Sequence, residues 1–186
     1  MPTPARTSVD EIVAAGRAIL ARDGLEGLTM QRVAEATGVR APSLYKRVSG
    51  RAALVRLVAG NAVAELGQRL DEVAASGEPV RDLRAQAAAL RAFAQSDPHA
   101  FALVFAPPAE GSVSDPALLA AGAAPVLRVV SGLVGPDQAL NAARTVTAWA
   151  SGFLRMELAG AFQLGGDVDE AFDYGISLLV DALGGS

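Results

Sequence analysis

The chain has no cysteine, one histidine, one tryptophan and one lysine, and aromatic residues make up only 5% of its 186 residues. Without cysteine there is no disulfide framework and no thiolate chemistry, and His99 alone leaves little from which to build a zinc site. No run of about eighteen uninterrupted apolar residues, the usual length of a membrane span, occurs in the chain. The N-terminus "MPTPARTSVDE" also lacks the apolar core of a signal peptide. A cytoplasmic protein with no membrane partner is the expectation. Also missing are a nucleophile beside a base, paired carboxylates and a phosphate-cradling loop. Helix capping explains the carboxylates of "GDVDE", so no enzyme and no cofactor is expected. The 51% apolar content is inflated by alanine, so the core must be built from Ala, Leu and Val on closely approaching helices. An all-α fold follows.

One stretch lacks acids altogether. Between Glu35 and Glu65 there is none, while Arg40, Lys46, Arg47, Arg51 and Arg56 supply five positive charges. Residues 1–60 carry nine cations against five acids, and residues 61–186 carry seven against fifteen. A basic head on an acidic body is implied, although the net charge is −4.

What is present reads as roughly nine helices, with no internal repeat and no comparable strand signal. Ser8 and Glu11 have the spacing of a capping box at the start of a first helix that reaches about Arg22. "DGLEGL" breaks it, and Thr29 is an N-cap type before a short helix from Met30 to about Ala36. "TGV" stops that helix at Gly38, and a third short helix follows from Arg40 to Lys46, with Pro42 tolerated in its first turn. A longer helix begins at Arg51 and extends to about Ala75. Further helices are expected near 79–95, 97–106, 115–134, 136–163 and 167–183, several announced by Asp-Pro or Gly-Pro, with "APPAEGSVS" as the one long loop.

Two short helices joined by "TGV", the second carrying cations, match the helix-turn-helix plan, in which a recognition helix enters the major groove of DNA. Val39 and Leu44 face inward to hold the pose, leaving Arg40, Ser43, Tyr45, Lys46 and Arg47 as outward donors. Arg6, in the N-terminal arm, is a candidate minor-groove contact.

The segment "LTMQRVAEATGVRAPSLYKRVSGRAAL", residues 28–54, resembles the DNA-binding signature of the TetR family of transcriptional repressors. The resemblance implies a DNA-binding domain at residues 1–52, and a helical ligand-binding and dimerisation domain at residues 53–186. It implies that Thr29 and Tyr45 touch phosphates, that Arg40, Ala41, Pro42 and Ser43 face bases or backbone, and that Arg51 stands where the family usually has a phosphate-binding lysine. Two departures are visible. Arg40 replaces the usual Ser or Thr and cannot accept a capping hydrogen bond, so it is expected to reach DNA directly. Lys46, Arg47 and Val48 follow Tyr45 where the family often has His or Tyr and then Phe, so affinity should lean on phosphates.

A single such helix pair buries little surface, so proteins of this plan usually dimerise and read two half-sites. By the resemblance the dimer interface is formed by the last two helices, residues 136–183 here, where Ala142, Ala143, Ala148, Gly152, Ala159 and Gly160 permit close approach. "AWASGFLRMELAGAF", residues 148–162, resembles the C-terminal signature of one TetR subgroup, with Ser151 in place of its histidine. Phe93, Phe101, Phe105, Trp149, Phe153 and Met156, with Phe162, are candidate walls of a pocket for a small-molecule effector, and Gln95, His99 and Arg155 are candidate polar anchors. The expected mechanism is an effector-driven shift of the helix at residues 51–75. The rival reading is a helical protein-interaction module whose basic head meets an acidic protein partner.

Overall fold

The computed structural model describes residues 7–106 and 115–185. Arg6 and residues 107–114 of the expected loop lie outside the described residues. Among the described residues there are nine helices and no strand: α1 (Val9–Gly27), α2 (Met30–Ala36), α3 (Ala41–Tyr45), α4 (Arg51–Val73), α5 (Pro79–Ser96), α6 (Pro98–Val104), α7 (Pro116–Val134), α8 (Ala139–Leu158) and α9 (Val168–Gly184). The chain divides into two compact units, residues 1–63 with 97–119 and residues 64–96 with 120–186. The sequence division at residue 52 thus differs in two ways. The first unit keeps the first half of α4, and it recruits α6, which packs on α1.

In the first unit the apolar positions of α1, α2, α3 and α4 meet in one core of Ile12, Leu20, Leu28, Val33, Leu44, Leu54 and Val58, all at most 1% exposed. Gly16 allows α1 and α4 to approach closely, since a Cβ there would lie 2.6 Å from the Val58 side chain. The Ser8 and Glu11 capping box forms as expected: each residue's side chain accepts the other's backbone N–H, at 3.1 and 2.8 Å. Gly24, with φ 67°, breaks α1 near its end and lies beneath the His99 ring of α6. Arg17 of α1 pairs with Asp97, the N-cap of α6, at 3.2 Å.

In the second unit Leu83, Leu90, Phe93, Leu154, Phe172, Ile176 and Val180 are buried. A Cβ on Gly67 of α4 would come 3.2 Å from the Gly122 backbone of α7, a close approach that small residues permit. Arg91 of α5 ties three helices together. It donates to Glu157 of α8 at 2.7 Å and Asp169 of α9 at 2.6 Å, and its guanidinium lies over the Phe172 ring. Asp82, buried in the first turn of α5, accepts hydrogen bonds from the Ser76 hydroxyl at 2.6 Å and from the Ser76 and Gly77 N–H groups. These bonds, the Ser76 hydroxyl first, hold its carboxyl below the ordinary value against the opposing effect of burial.

Two expectations need correction. The helix expected from Gly135 and Pro136 begins only at Ala139, because Gly135, with φ 77°, terminates α7 by donating its N–H to the Ser131 carbonyl at 3.0 Å. Ala142 and Ala143 are buried inside the second unit, so their small size serves its own core. Separately, α7 is long and apolar enough to cross a membrane, by length and composition alone. Arg128 interrupts it and pairs with Asp71 of α4, and Pro125, Val129 and Val130 are its buried residues.

Candidate nucleic-acid interface

The turn between α2 and α3 is built from local hydrogen bonds. Thr37 donates its hydroxyl to the Val33 carbonyl at 2.8 Å, and the Val39 N–H reaches the Ala34 carbonyl at 3.0 Å. Gly38, with φ 68°, makes the reversal in the left-handed region, which a side chain would strain. At the other end of α2 the Thr29 hydroxyl caps the helix by accepting the Arg32 N–H at 3.3 Å. Arg40 occupies the N-cap position of α3 with no side-chain capping bond, as its chemistry requires. Pro42 falls in the first turn, where a missing N–H costs nothing.

Burial then sorts α3 by face. Leu44 and Val48 are 1% and 2% exposed, and they fix the helix from behind. Arg40, Pro42, Ser43, Tyr45, Lys46 and Arg47 are exposed, while Ala41 is half-buried. Among the described residues no ion pair engages Arg40, Lys46 or Arg47. Five outward groups able to donate to phosphates or base edges (Arg40, Ser43, Tyr45, Lys46 and Arg47) are therefore exposed on a short, pinned helix and at its two ends. Thr29 is half-buried, and its hydroxyl is already an acceptor in the cap.

The junction of α1 and α2 is fastened by side chains the sequence reading did not connect. Asp23 accepts from Arg32 of α2 at 2.9 Å and from its neighbour Arg22 at 2.7 Å. The Arg22 hydrogen bond, aided by the charges of Arg22 and Arg32, holds the Asp23 carboxyl below its ordinary value. Arg51, exposed at the first position of α4, donates to the Leu28 carbonyl at 3.0 Å and to the Leu25 carbonyl at 2.7 Å. A hydrogen bond across 23 or 26 positions leaves no local sequence signal.

The six candidate pocket residues divide between the units. Phe101 and Phe105 belong to the first, with ring centroids 5.0 Å apart. In the second, Phe93 is fully buried beneath the Arg69 guanidinium. Trp149 and Phe153 join Phe172 and Phe162 in an aromatic cluster with centroids 4.8–5.7 Å apart. Trp149 lies directly over Gly175 of α9, where a Cβ would approach it to 2.1 Å. Met156 is half exposed. The polar candidates are also placed: Gln95 donates to Glu157 at 2.9 Å, His99 sits on Gly24, and Arg155 is exposed. Phe172 was missed because nothing in its local sequence marks it as the centre of that cluster.

Comparison with known proteins agrees with this geometry. Residues 6–58 match the family described as bacterial regulatory proteins, tetR family, and residues 83–179 match the tetracyclin repressor-like C-terminal domain. An uncharacterised HTH-type transcriptional regulator of Mycobacterium tuberculosis, Rv0681, is 31% identical over 171 residues, covering 89% of this chain and 76% of its own length. A protein of unknown function from Rhodococcus sp. RHA1 has the same fold, with a TM-score of 0.81 at 23% identity over 98% of this chain and 100% of that one. So does a TetR variant from Acinetobacter baumannii AYE in complex with minocycline, with a TM-score of 0.71 at 20% identity over 95% and 96% of the two chains. The pinned helix-turn-helix and the two family matches make this chain a member of the TetR family of transcriptional regulators, DNA-binding proteins that are not enzymes.

Proposed function

We propose that this regulator is a cytoplasmic repressor that binds double-stranded operator DNA as a homodimer and leaves it when a small apolar or amphipathic effector binds its C-terminal domain. The observation that carries the DNA reading is the exposed side of α3 and its two ends, where Arg40, Lys46 and Arg47 enter no ion pair among the described residues while Leu44 and Val48 hold the helix in place. Tyr45, Lys46, Arg47 and Thr29 are assigned to phosphates. Arg40, with Ala41, Pro42 and Ser43, faces base edges at the N-terminal end of the recognition helix.

Dimerisation is supported by what α8 and α9 leave exposed. Ala148, Gly152 and Met156 recur along one side of α8, with Ala159 at its C-cap, and Ala171, Tyr174 and Leu178 along one side of α9. Tyr174 and Leu178 are 67% and 53% exposed, large apolar surfaces that a second copy would cover. Two recognition helices would then read half-sites about 34–36 Å apart.

The effector reading is supported by a groove of about 440 Å³ in the second unit, where Phe172 and Ile176 meet Arg84, Arg91 and Gln95. Asp173 also lines it, and this mixture of apolar and charged groups of both signs suits an amphipathic molecule. Phe93, Trp149, Phe153 and Met156 belong to the same unit and would repack around an effector. The relative from Acinetobacter baumannii was solved with minocycline, which lends weight to a small-molecule ligand here. The α4 helix has residues in both units, so a shift in it would couple effector to DNA, and a coupling of about 1–3 kcal/mol would weaken DNA binding roughly 5- to 150-fold.

The test is a titration into labelled DNA from upstream of the protein's own gene, beside unrelated DNA, at several salt concentrations. A preference of about a thousandfold or more, falling steeply with salt, is expected of a specific regulator. Equal weak binding to both, with no preferred site emerging from a randomised pool, would contradict operator recognition.

A further inference from the structure

Arg51 stands where the family resemblance puts a phosphate-binding lysine, yet its guanidinium, although exposed, is engaged by two backbone carbonyls of the protein itself. From the first residue of α4, Nε donates to the Leu28 carbonyl at 3.0 Å and Nη2 to the Leu25 carbonyl at 2.7 Å. Both acceptors belong to the end of α1: Leu25 follows the break at Gly24, and Leu28 is the C-cap residue. The Leu25 carbonyl also accepts the Leu28 N–H at 3.3 Å, and carbonyls at a helix C-terminus favour a cation. Thr29, the N-cap of α2, comes next in the chain.

The bond from Arg51 to Leu28 therefore closes a loop that contains the entire helix-turn-helix, α2, the Gly38 turn and α3. The two ends of the recognition motif are tied to each other from outside, while Leu44 and Val48 anchor it from within. A guanidinium suits this task because Nε and Nη2 are separate donors in a rigid fork that spans two carbonyls. The single nitrogen of a lysine does not reproduce that geometry.

We infer that Arg51 is a positioning residue for DNA recognition: its two hydrogen bonds to the α1–α2 junction set the pose of α2 and α3, and it does not serve as a phosphate contact. The inference rests on DNA binding by the helix-turn-helix and is independent of the effector and of repression.

The experiment uses the full-length protein and its Arg51→Lys and Arg51→Gln variants. Each is titrated against a duplex that the wild type selects from a randomised pool, and against a scrambled duplex of equal length. Titrations are run at several salt concentrations, well below each variant's melting transition. Both variants are expected to bind the selected duplex about tenfold or more weakly, the scale on which displaced base contacts act. Affinity for the scrambled duplex and the salt slope should stay unchanged, so the specificity ratio falls and lysine does not rescue it. If Arg51→Lys keeps wild-type affinity while Arg51→Gln loses about 0.9 of slope per contact on both duplexes, Arg51 touches phosphate and the inference is overturned. It is equally overturned if both variants melt earlier but, while folded, bind the selected duplex like the wild type. A wild type that selects no duplex fails before the variants are compared; that result counts against sequence recognition itself and removes the inference with it.

Discussion

In the second unit Arg91 is held by Glu157 and Asp169, Arg69 by Glu65 and Arg128 by Asp71, while in the first the recognition-helix cations Arg40, Lys46 and Arg47 enter no ion pair among the described residues. Acid placement produces the contrast. Every acid between Glu35 and Glu65 is missing, so α3 and the start of α4 have no local carboxylate, whereas α8 and α9 bring Glu157 and Asp169 to α5. A cation already paired must give up its partner before it can neutralise a phosphate, but an exposed unpaired one only exchanges water and counterions. Charge holds helices together in both units, through Arg91 with Glu157 and Asp169 in one and through Arg17 with Asp97 and Arg32 with Asp23 in the other. The cations at the two ends of α3 are left on an exposed surface instead.

Breaking the head from beneath should give the largest effect. Leu44→Ala removes a side chain that is 1% exposed. It should cost about 2–5 kcal/mol of stability, read by chemical denaturation, and weaken DNA binding as well because α3 loses its inner anchor. Stability kept within about 0.5 kcal/mol would show that the recognition helix is held by something else. Removing outward groups should separate the two properties. Tyr45→Ala with Lys46→Ala should lower affinity for a selected duplex by about a hundredfold or more across the two half-sites, with the melting temperature nearly unchanged because both side chains are exposed.

The converse change belongs to the other unit. Arg91→Ala leaves Glu157, whose side chain is 16% exposed, without its guanidinium. It should cost about 1–3 kcal/mol of stability while folded protein keeps its DNA affinity within about threefold. A large affinity loss in the folded variant would mean that the body's ion pairs also serve recognition.

Acid should act more mildly, on the head through Asp23 and on the body through Glu157 and Asp82. The carboxyl of Glu157 is held below its ordinary value by hydrogen bonds from Arg91, and that of Asp82 by the Ser76 hydroxyl. Because their folded-state values are depressed, the unfolded chain takes up protons first. The stability these groups contribute is complete above the ordinary values of 3.8 and 4.5 and is lost as pH falls through the lowered ones. The melting temperature should be flat from about pH 8 to 6 and decline below about pH 4, with a shallower decline in Asp82→Asn. A parallel decline in that variant would remove Asp82 from the account.

Much of the head was legible in the sequence because its determinants are local. The Ser8–Glu11 box, the Thr29 cap, Gly38 in the turn and Leu44 as the inner residue each act within a few positions. The body was less legible for the opposite reason. Arg91 finds Glu157 and Asp169 at separations of 66 and 78 residues, and Arg84 finds Ser177 at 93. Spacing could suggest that Trp149 and Phe153 lie on one helix, but not that Phe172 completes their cluster or that Phe101 and Phe105 belong to the other unit. Gly135 shows a local ambiguity: before a proline it looks like a helix start, but its left-handed φ makes it an end.

The central claim, that the cations flanking α3 meet DNA, is tested most directly by the salt dependence of affinity in the wild type and in the Lys46→Ala, Arg47→Ala double variant. Each phosphate contact contributes about 0.9 to the slope of log affinity against log salt, so losing two contacts in each of two protomers should reduce its magnitude by about 3 to 4. An unchanged slope in a folded variant would contradict the account.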